Sequence, residues 1–173
     1  MKPFITLILF FILSSCAPIY VTQDFEKGTD FSKYKSYNFY SDQDTGLSEL
    51  DTKRIIKTLD IKLQSLGLTK HENPDFYIAI KSTEYEEEQR STVGVGVGGT
   101  GRNIGGGVSI GIPVGNTKIT RQILFDFIDE NGIGLFWQAN SESSFNPNTT
   151  PEKREQNLIL LVEKVFSKYP PKQ

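Results

Sequence analysis

Two segments of the chain repeat apolar residues every three or four positions, the spacing that places them on one face of a helix. In the first segment, Ser48 with Asp51 three residues later is typical of a capping box, and Gly67 is a usual helix stop. The pattern predicts an amphipathic helix of about eighteen residues between them. Its apolar positions are Leu50, Ile55, Ile56, Leu59, Leu63 and Leu66.

The second amphipathic segment lies near the end of the chain. Thr150 followed by Pro151 is a favourable helix start, because the hydroxyl caps the first turn and proline fits its first position. Tyr169, with the two prolines that follow it, ends the segment. The apolar stripe consists of Leu158, Leu161, Val162, Val165 and Phe166.

Other segments alternate apolar and polar residues, which is the pattern of half-buried strands. Tyr37 and Phe39 mark a short strand, residues 76–85 a longer one, and residues 118–129 the most regular one. A partner strand follows over residues 135–145. We therefore expect several strands that are neighbours in the sequence.

The connections between these strands indicate how they pair. Asn131-Gly132 separates the last two strands and predicts a two-residue hairpin turn. Neighbouring strands joined by short turns pair antiparallel. The predicted fold class is α+β, with an antiparallel sheet of about five or six strands and two amphipathic helices packed on one face.

Residues 91–116 contain ten of the fifteen glycines of the chain. Three of them match the spacing of a dinucleotide-binding loop, but no helix can begin on the glycine-rich sequence that follows. Alternation of Val and Ile with small residues instead predicts a hairpin that turns within residues 99–107. The hairpin is either a structural or flexible edge or a surface that a partner approaches closely. The glycines of this candidate interaction surface are Gly94, Gly96, Gly98, Gly99, Gly105, Gly106 and Gly107.

The first residues have the features of a secretory signal rather than of a membrane-spanning helix. Lys2 precedes an apolar run over residues 4–13, which is shorter than the about 20 residues that a spanning helix needs. The sequence Leu13-Ser14-Ser15-Cys16 resembles the bacterial lipoprotein box, in which the chain is cut before the cysteine and the cysteine is acylated. We therefore predict cleavage between Ser15 and Cys16, with lipid attachment at Cys16.

These boundaries divide the chain into three parts. Residues 1–15 are the predicted lipoprotein signal peptide, residues 16–29 the acylated cysteine and a short tether that leads into an edge strand, and residues 30–171 a single α+β domain. Ala17 lies where, under the best-studied Gram-negative rule, an aspartate retains lipoproteins in the inner membrane. We therefore expect a lipid-anchored protein of the cell envelope, with the outer membrane favoured and the domain facing the periplasm.

Composition and charge exclude several classes of function and site. The 173 residues carry a formal net charge of −2, which gives no electrostatic basis for binding nucleic acid. A single Cys and a single His exclude an intramolecular disulfide and the common zinc sites. We expect no metal ion, no cofactor and no catalytic residue.

Few residues could serve a hydrolase. His71, the only histidine, lies in a polar loop, and the letters Gly-x-Ser-x-Gly at residues 107–111 lack the strand-to-helix turn of a nucleophile elbow. Asp126 and Asp129 are the best-placed acids for carboxylate-dependent hydrolysis. Acidic residues also crowd within residues 84–88, where we expect a solvated strand end.

Several short segments occur in a particular order along the predicted mature chain. They are residues 30–37, 66–68 and 74–76, the glycine-rich middle, residues 124–129 with 135–137, and the ending Tyr169-Pro170-Pro171. In this order, and behind a lipoprotein box, they resemble the bacterial lipoproteins grouped as domain of unknown function 4136. The resemblance implies a small periplasmic or outer-membrane lipoprotein domain. It implies no activity and no catalytic residues.

Three functions remain open from the sequence. The first is a non-catalytic, membrane-anchored envelope lipoprotein with a binding or structural role. Its partners would be membrane lipid, through acylated Cys16, and an envelope protein or small ligand that the sequence does not identify. The alternative is a small-ligand or lipid carrier, with Tyr37, Phe39 and Trp137 around a pocket. A carboxylate-dependent hydrolase is the more distant alternative.

Overall fold

The computed structural model describes residues 18–87, 92–93, 112–113 and 118–172. Within these ranges the chain forms eight strands, two α-helices and two short 3-10 turns at Phe31–Lys33 and Phe166–Lys168. The helices are α1 (Glu49–Ser65) and α2 (Pro151–Val165). The strands are β1 (Tyr20–Phe25), β2 (Ser36–Phe39), β3 (Thr69–Lys70), β4 (Phe76–Glu87), β5 (Thr92–Val93), β6 (Ile112–Pro113), β7 (Lys118–Asp129) and β8 (Gly134–Phe145).

Six of the strands form one sheet in the order β1-β8-β7-β4-β2-β3, and β5 pairs with β6 in a separate two-stranded unit. The α+β fold class is confirmed. The expectation of a purely antiparallel sheet is wrong, because β2 runs parallel to both β4 and β3. The reason is the strand–helix–strand order, since α1 carries the chain back to the end of the sheet from which β2 began.

Both helices begin at the predicted residues. The Ser48 hydroxyl accepts a hydrogen bond from the Asp51 backbone amide at 3.2 Å, and the Thr150 hydroxyl accepts one from the Lys153 amide at 3.4 Å. Pro151 occupies the first turn of α2. These contacts satisfy backbone donors that a helix leaves free at its start.

The two helices lie on one face of the sheet and run in the same direction. Asp51 contacts Arg154 near the two helix starts, and Lys62 contacts Glu163 near the two ends. The helices and the central strands contribute to one buried cluster. Its helical members are Ile55, Leu59, Leu63, Leu158, Leu161, Val162 and Val165. Its members from the central strands are Phe76, Ile78, Ile80, Ile123, Phe125, Phe127, Phe136, Trp137 and Ala139.

The β7–β8 connection differs from the predicted two-residue turn. Asp129 pairs with Gly134, so residues 130–133 form a four-residue loop, and the positive φ of +76° falls on Gly134 rather than on Asn131. The pairing shifts register beyond Phe127, which leaves Phe136 as an extra residue on β8. Because of this bulge, the consecutive residues Phe136 and Trp137 are both buried.

Strand β1 lies in the segment that the sequence assigned to the tether. It pairs with β8 over its whole length, from Tyr20 opposite Glu142 to Phe25 opposite Trp137. The sheet therefore begins at Tyr20 rather than after Asp30. Only a few residues separate Tyr20 from the cysteine of the lipoprotein box.

Three strand termini meet at one end of the sheet, which we call the tether end because β1 runs away from it. They are the end of β4 at Glu87, the start of β7 at Lys118 and the end of β8 at Phe145. Strand β1 begins at Tyr20, opposite Glu142, and thus starts three residues short of the end of β8. The opposite end of the sheet, which we call the loop end, contains Phe25, Phe76, Asp129 and Gly134. Within the described residues, no helix has the length and apolar character needed to cross a bilayer.

Candidate functional site

The most extensive polar arrangement among the described residues surrounds Asp51 in the first turn of α1. The Asp51 side chain is 1% exposed, so its charge needs compensation within the protein. Arg121 is also buried, on the strand face that carries Ile123 and Phe125 into the core. We call Asp51, Arg54, Arg121 and Arg154 the arginine cluster.

Three guanidinium groups converge on the Asp51 carboxylate. Arg54 Nη1 lies 2.8 Å from Oδ1, whereas Arg154 Nη1 and Arg121 Nη1 lie 3.1 Å and 3.4 Å from Oδ2. Hydrogen bonds between charged groups are stronger than those between neutral groups. The carboxylate therefore joins the starts of both helices to β7 at the tether end.

In Arg121 and Arg154, guanidinium nitrogens that do not contact Asp51 also have partners within the protein. Arg121 donates from Nε and Nη2 to Glu84 Oε1 at 3.0 Å and 2.7 Å, and its guanidinium lies 3.4 Å from the ring centre of Phe145. Arg154 donates to the backbone carbonyls of Thr149 and Pro147. The cluster is thus a structural connection between elements rather than an open receptor for an anion.

Two opposing effects act on the pKa of Asp51. Burial raises it, while the hydrogen bond from Arg54 and the charges of Arg121 and Arg154 lower it. The arginines outweigh burial, so the pKa of Asp51 lies below its usual value. Asp51 therefore remains ionised in the folded protein at neutral pH.

Two of the cavities in the described part of the chain lie next to features already introduced. The first holds about 40 Å³ beside the arginine cluster, with Arg121, Phe145 and Arg154 in its wall, which is room for a few water molecules. The second holds about 160 Å³ at the loop end, where Phe25 and Trp137 line it. Both are smaller than the about 300 Å³ at which pockets for small ligands begin.

The aromatic residues considered for a carrier pocket lie in the core. Tyr37 and Trp137 are at most 1% exposed, and Phe39 is 9% exposed. The Trp137 ring lies 4.6 Å from Phe127 and 5.2 Å from Tyr169 between ring centres. These rings therefore pack against other side chains of the core.

The residues considered for hydrolysis each have a local partner. Exposed His71 places Nδ1 2.9 Å from the Asn73 carbonyl within its own loop. Asp126 accepts a hydrogen bond from Gln138 at 2.7 Å. Asp129 accepts one from Tyr34 at 3.1 Å, and burial together with this bond raises the pKa of Tyr34 to about 12.

The acidic residues at the end of β4 do not form a metal site. Glu84 is paired with Arg121, and its side chain is 39% exposed; Glu86 is exposed. Among the residues that the structure describes, no group of three or more His, Cys, Asp or Glu is arranged to hold a metal ion. The partner of Glu84 is a buried cation of the protein itself.

Several predicted site residues lie outside the described residues. They include the cleavage and acylation site at Ser15 and Cys16. The glycines of the candidate interaction surface, Gly94, Gly96, Gly98, Gly99, Gly105, Gly106 and Gly107, also lie outside. The antiparallel pairing of β5 with β6 falls on the predicted hairpin arms, with Val93 opposite Ile112.

Sequence reasoning missed the arginine cluster, although two signals were present. Arg121 interrupts an alternating row whose next members, Ile123 and Phe125, face the core, so its charge needed a buried partner. The Asp51 carboxylate was assigned to a capping box, in which it would bind the backbone amide of Ser48. Its hydrogen bonds instead go to the arginines.

The described elements define an α+β domain in which two parallel helices cover one face of a six-stranded mixed sheet. A family model described as "Domain of unknown function (DUF4136)" matches residues 21–171. The chain belongs to this family.

The fold also occurs in solved structures with low sequence identity. A PDZ domain protein from Parabacteroides distasonis matches with a TM-score of 0.55 and 14% identity, over 97% of this chain and 40% of that one. The PelC dodecamer from Paraburkholderia phytofirmans matches with a TM-score of 0.51 and 13% identity, over 90% of this chain and 100% of that one. This chain thus spans less than half of the first protein. No curated protein matches the sequence.

Proposed function

We propose that this chain is a lipid-anchored, non-catalytic protein of the cell envelope that binds a partner or has a structural role there. The observation that carries the proposal is the position of Cys16. It is the only cysteine, it follows a basic residue, an apolar run and small residues, and it lies four residues before β1. An acyl anchor at Cys16 would join the folded domain almost directly to the membrane.

The geometry of the described residues supports a role without catalysis. His71 is exposed and bonded within its own loop, while Asp126 and Asp129 accept hydrogen bonds from neighbouring side chains. A triad needs a histidine that orients a nucleophile, and these contacts give His71 no such task. The small volumes of the described cavities likewise give no support to a carrier of lipid or of another small ligand.

The test of the anchor is intact-mass analysis of the protein purified from cell envelopes after growth with labelled palmitate. We expect a chain that begins at Cys16, carries the label and has the added mass of several acyl groups. The Cys16→Ser variant is the matched control and is expected to lose the label and the added mass. An unmodified wild-type chain in the soluble fraction would overturn the proposal.

The binding role is tested by cross-linking in intact cells, followed by purification under denaturing conditions. A reproducible partner that is cross-linked by the wild-type protein and not by an unrelated lipoprotein of equal abundance supports the proposal. If no partner is recovered across several cross-linker lengths, the binding role is rejected. The anchor is then judged separately by its mass.

A further inference from the structure

We propose that the tether end of the sheet faces the membrane and that the loop end is the part of the domain farthest from it. This inference rests on the proposed acylation of Cys16. It concerns which surface meets lipid, which the acylation itself does not specify.

The chain between the predicted anchor and the sheet is short. Four residue steps separate Cys16 from Tyr20, and an extended chain covers at most about 14 Å in four steps. Tyr20 is level with Gln122 of β7, because both lie opposite Glu142 of β8. The seven residue steps from Gln122 to Asp129 at the loop end span about 23 Å, which is more than the tether can cover. The loop end therefore cannot turn to the membrane while Cys16 is anchored there.

The start of β1 is firmly held by the rest of the domain. Its backbone pairs with β8 from Tyr20 onwards, and Gln23 Nε2 donates to the Val165 carbonyl at 2.5 Å. Ile19 and Val21 also pack against the core. Because these contacts begin at residue 19, the segment that is free to act as a tether is even shorter than the distance to Tyr20 indicates.

The surface towards the tether end exposes large aromatic and aliphatic side chains. Tyr20 at the start of β1, Leu50 in the first turn of α1 and Tyr85 near the end of β4 are 67%, 61% and 39% exposed. Tyrosine rings with a polar tip are favoured at the boundary between lipid and water. Arg121 compensates the charge of Glu84 next to Tyr85, whereas Glu86 is exposed. The exposed rings, rather than the charge of this end, are what suits it to the headgroup region.

The orientation has a consequence for the loop end. Phe25, Ile133 and Leu135 are exposed there, and the cavity of about 160 Å³ is lined by Phe25 and Leu135 together with Asp24 and Glu26. In the proposed orientation this apolar and acidic surface points away from the bilayer. It is then accessible to components of the aqueous compartment rather than to lipid.

The experiment measures the height of single labels above a bilayer. The acylated protein is reconstituted into phospholipid vesicles that contain a lipid-linked energy-transfer acceptor. Because Cys16 is the only native cysteine, each of four variants offers one thiol for the donor dye: Ser144→Cys at the tether end, Asn131→Cys at the loop end, Lys57→Cys on α1 and Lys81→Cys on β4.

We expect the donor at residue 144 to lie roughly 30 Å closer to the acceptor plane than the donor at residue 131, with the two lateral donors at similar intermediate heights. Equal heights at residues 144 and 131 would mean that the domain lies on its side, and the inference would be wrong. Circular dichroism melting of each variant verifies the fold before reconstitution.

A second variant tests the cause of the orientation. A flexible spacer of twenty residues inserted after Ala17 is expected to reduce the height difference between residues 144 and 131 by at least half, because the sheet can then rotate freely. An undiminished difference would contradict the role of the short tether. Failure of acylation is seen separately, as a chain without added mass that does not bind vesicles.

Discussion

At the residue scale, the arginine cluster shows how one buried charge organises its surroundings. The spacing of Asp51 from Ser48 predicts a helix start. The prediction is confirmed, because the Asp51 backbone amide donates a hydrogen bond to the Ser48 hydroxyl. Its carboxylate has a different role, because Arg54, Arg121 and Arg154 surround it. Local spacing predicts a cap, whereas a contact between distant residues depends on the packing of α1 and α2 against β7.

The first prediction concerns the removal of this carboxylate. Asp51→Ala is expected to lower the free energy of unfolding by about 3–5 kcal/mol, because it leaves the half-buried Arg54 and Arg154 without their carboxylate partner and leaves buried Arg121 with Glu84 alone. Urea denaturation followed by circular dichroism measures the change. Glu49→Ala is the matched control, since its side chain is 82% exposed and water screens its pair with Lys53, so the loss should be much smaller. Equal losses in both variants would contradict the structural role of the cluster.

The second prediction concerns pH. The pKa of Asp51 is lowered in the folded state, so its stabilising contribution is present above the unfolded pKa of about 4 and is lost as pH falls through the folded pKa. The difference in unfolding free energy between wild type and Asp51→Asn should therefore be large at pH 7 and shrink as the pH falls below about 4. Urea titrations at several pH values measure it, and a constant difference would refute this account.

The third prediction concerns Gly46, which lies in the loop between β2 and α1. Its φ is +68°, and a Cβ atom would lie 2.3 Å from the carbonyl oxygen of Ser82. Gly46→Ala is expected to cost more than about 2 kcal/mol, from backbone strain and from this contact. Gly28→Ala is the control, because Gly28 has a φ of +88° but no atom within 4 Å of that position. Thermal unfolding of both variants should show the larger loss at Gly46, and similar losses would contradict the close approach.

At the scale of elements, the sequence predicts the helices better than the strand pairing. Capping residues and apolar stripes are local, and both helices begin where Ser48 and Thr150 indicated. The parallel pairing of β2 with β4 depends on the path of the chain through α1. The alternation of apolar and polar residues within a strand does not indicate that path. The order of strand, helix and strand along the chain does, because a helix between two strands allows them to pair in parallel.

The β7–β8 connection shows a second limit of local patterns. Asn-Gly favours a two-residue turn, yet the loop has four residues and a bulge follows it at Phe136. Phe136 stacks on Tyr34 with 3.9 Å between ring centres. Burying two consecutive aromatic residues outweighs the preference of the turn, because core contacts decide the register of the strands.

The fourth prediction concerns the segment between β4 and β7. Glu87 lies opposite Lys118 in the antiparallel pairing, and β5 and β6 are not part of the main sheet. Replacing residues 88–117 by Asn-Gly should leave the unfolding free energy unchanged or raise it by up to about 2 kcal/mol, because a shorter loop costs less entropy to close. Chemical denaturation measures this. A clear loss of stability would mean that the segment supports the main sheet.

At the scale of the whole molecule, only a few residues separate the folded domain from its proposed anchor at Cys16. The sheet begins at Tyr20, so the tether predicted over residues 16–29 is mostly part of the fold. The sequence predicts that the tether leads into an edge strand, and β1 is at the edge of the sheet, but no strong apolar pattern marks where it begins, since Val21 and Gln23 are only partly buried. Pairing with β8, rather than a strong apolar pattern, holds it in place.

The fifth prediction concerns the destination of the protein. Under the Gram-negative sorting rule, Ala17→Asp should move the acylated protein from the outer-membrane to the inner-membrane fraction. Ala17→Ser is the matched control and should leave the distribution unchanged. Membranes separated by density and analysed by immunoblot give the ratio. An unchanged distribution of Ala17→Asp would show that the rule does not govern this chain.

The adjacent positions of Glu87 and Lys118 also have an evolutionary consequence. Insertions or deletions between these two residues need not disturb the pairing of β4 with β7, because the two strands meet side by side at that point. The four-residue loop after Asp129 has no such freedom, since Gly134 and the bulge at Phe136 set the register of β8. Within the family, we therefore expect chain length to vary between β4 and β7 and to be nearly constant between β7 and β8.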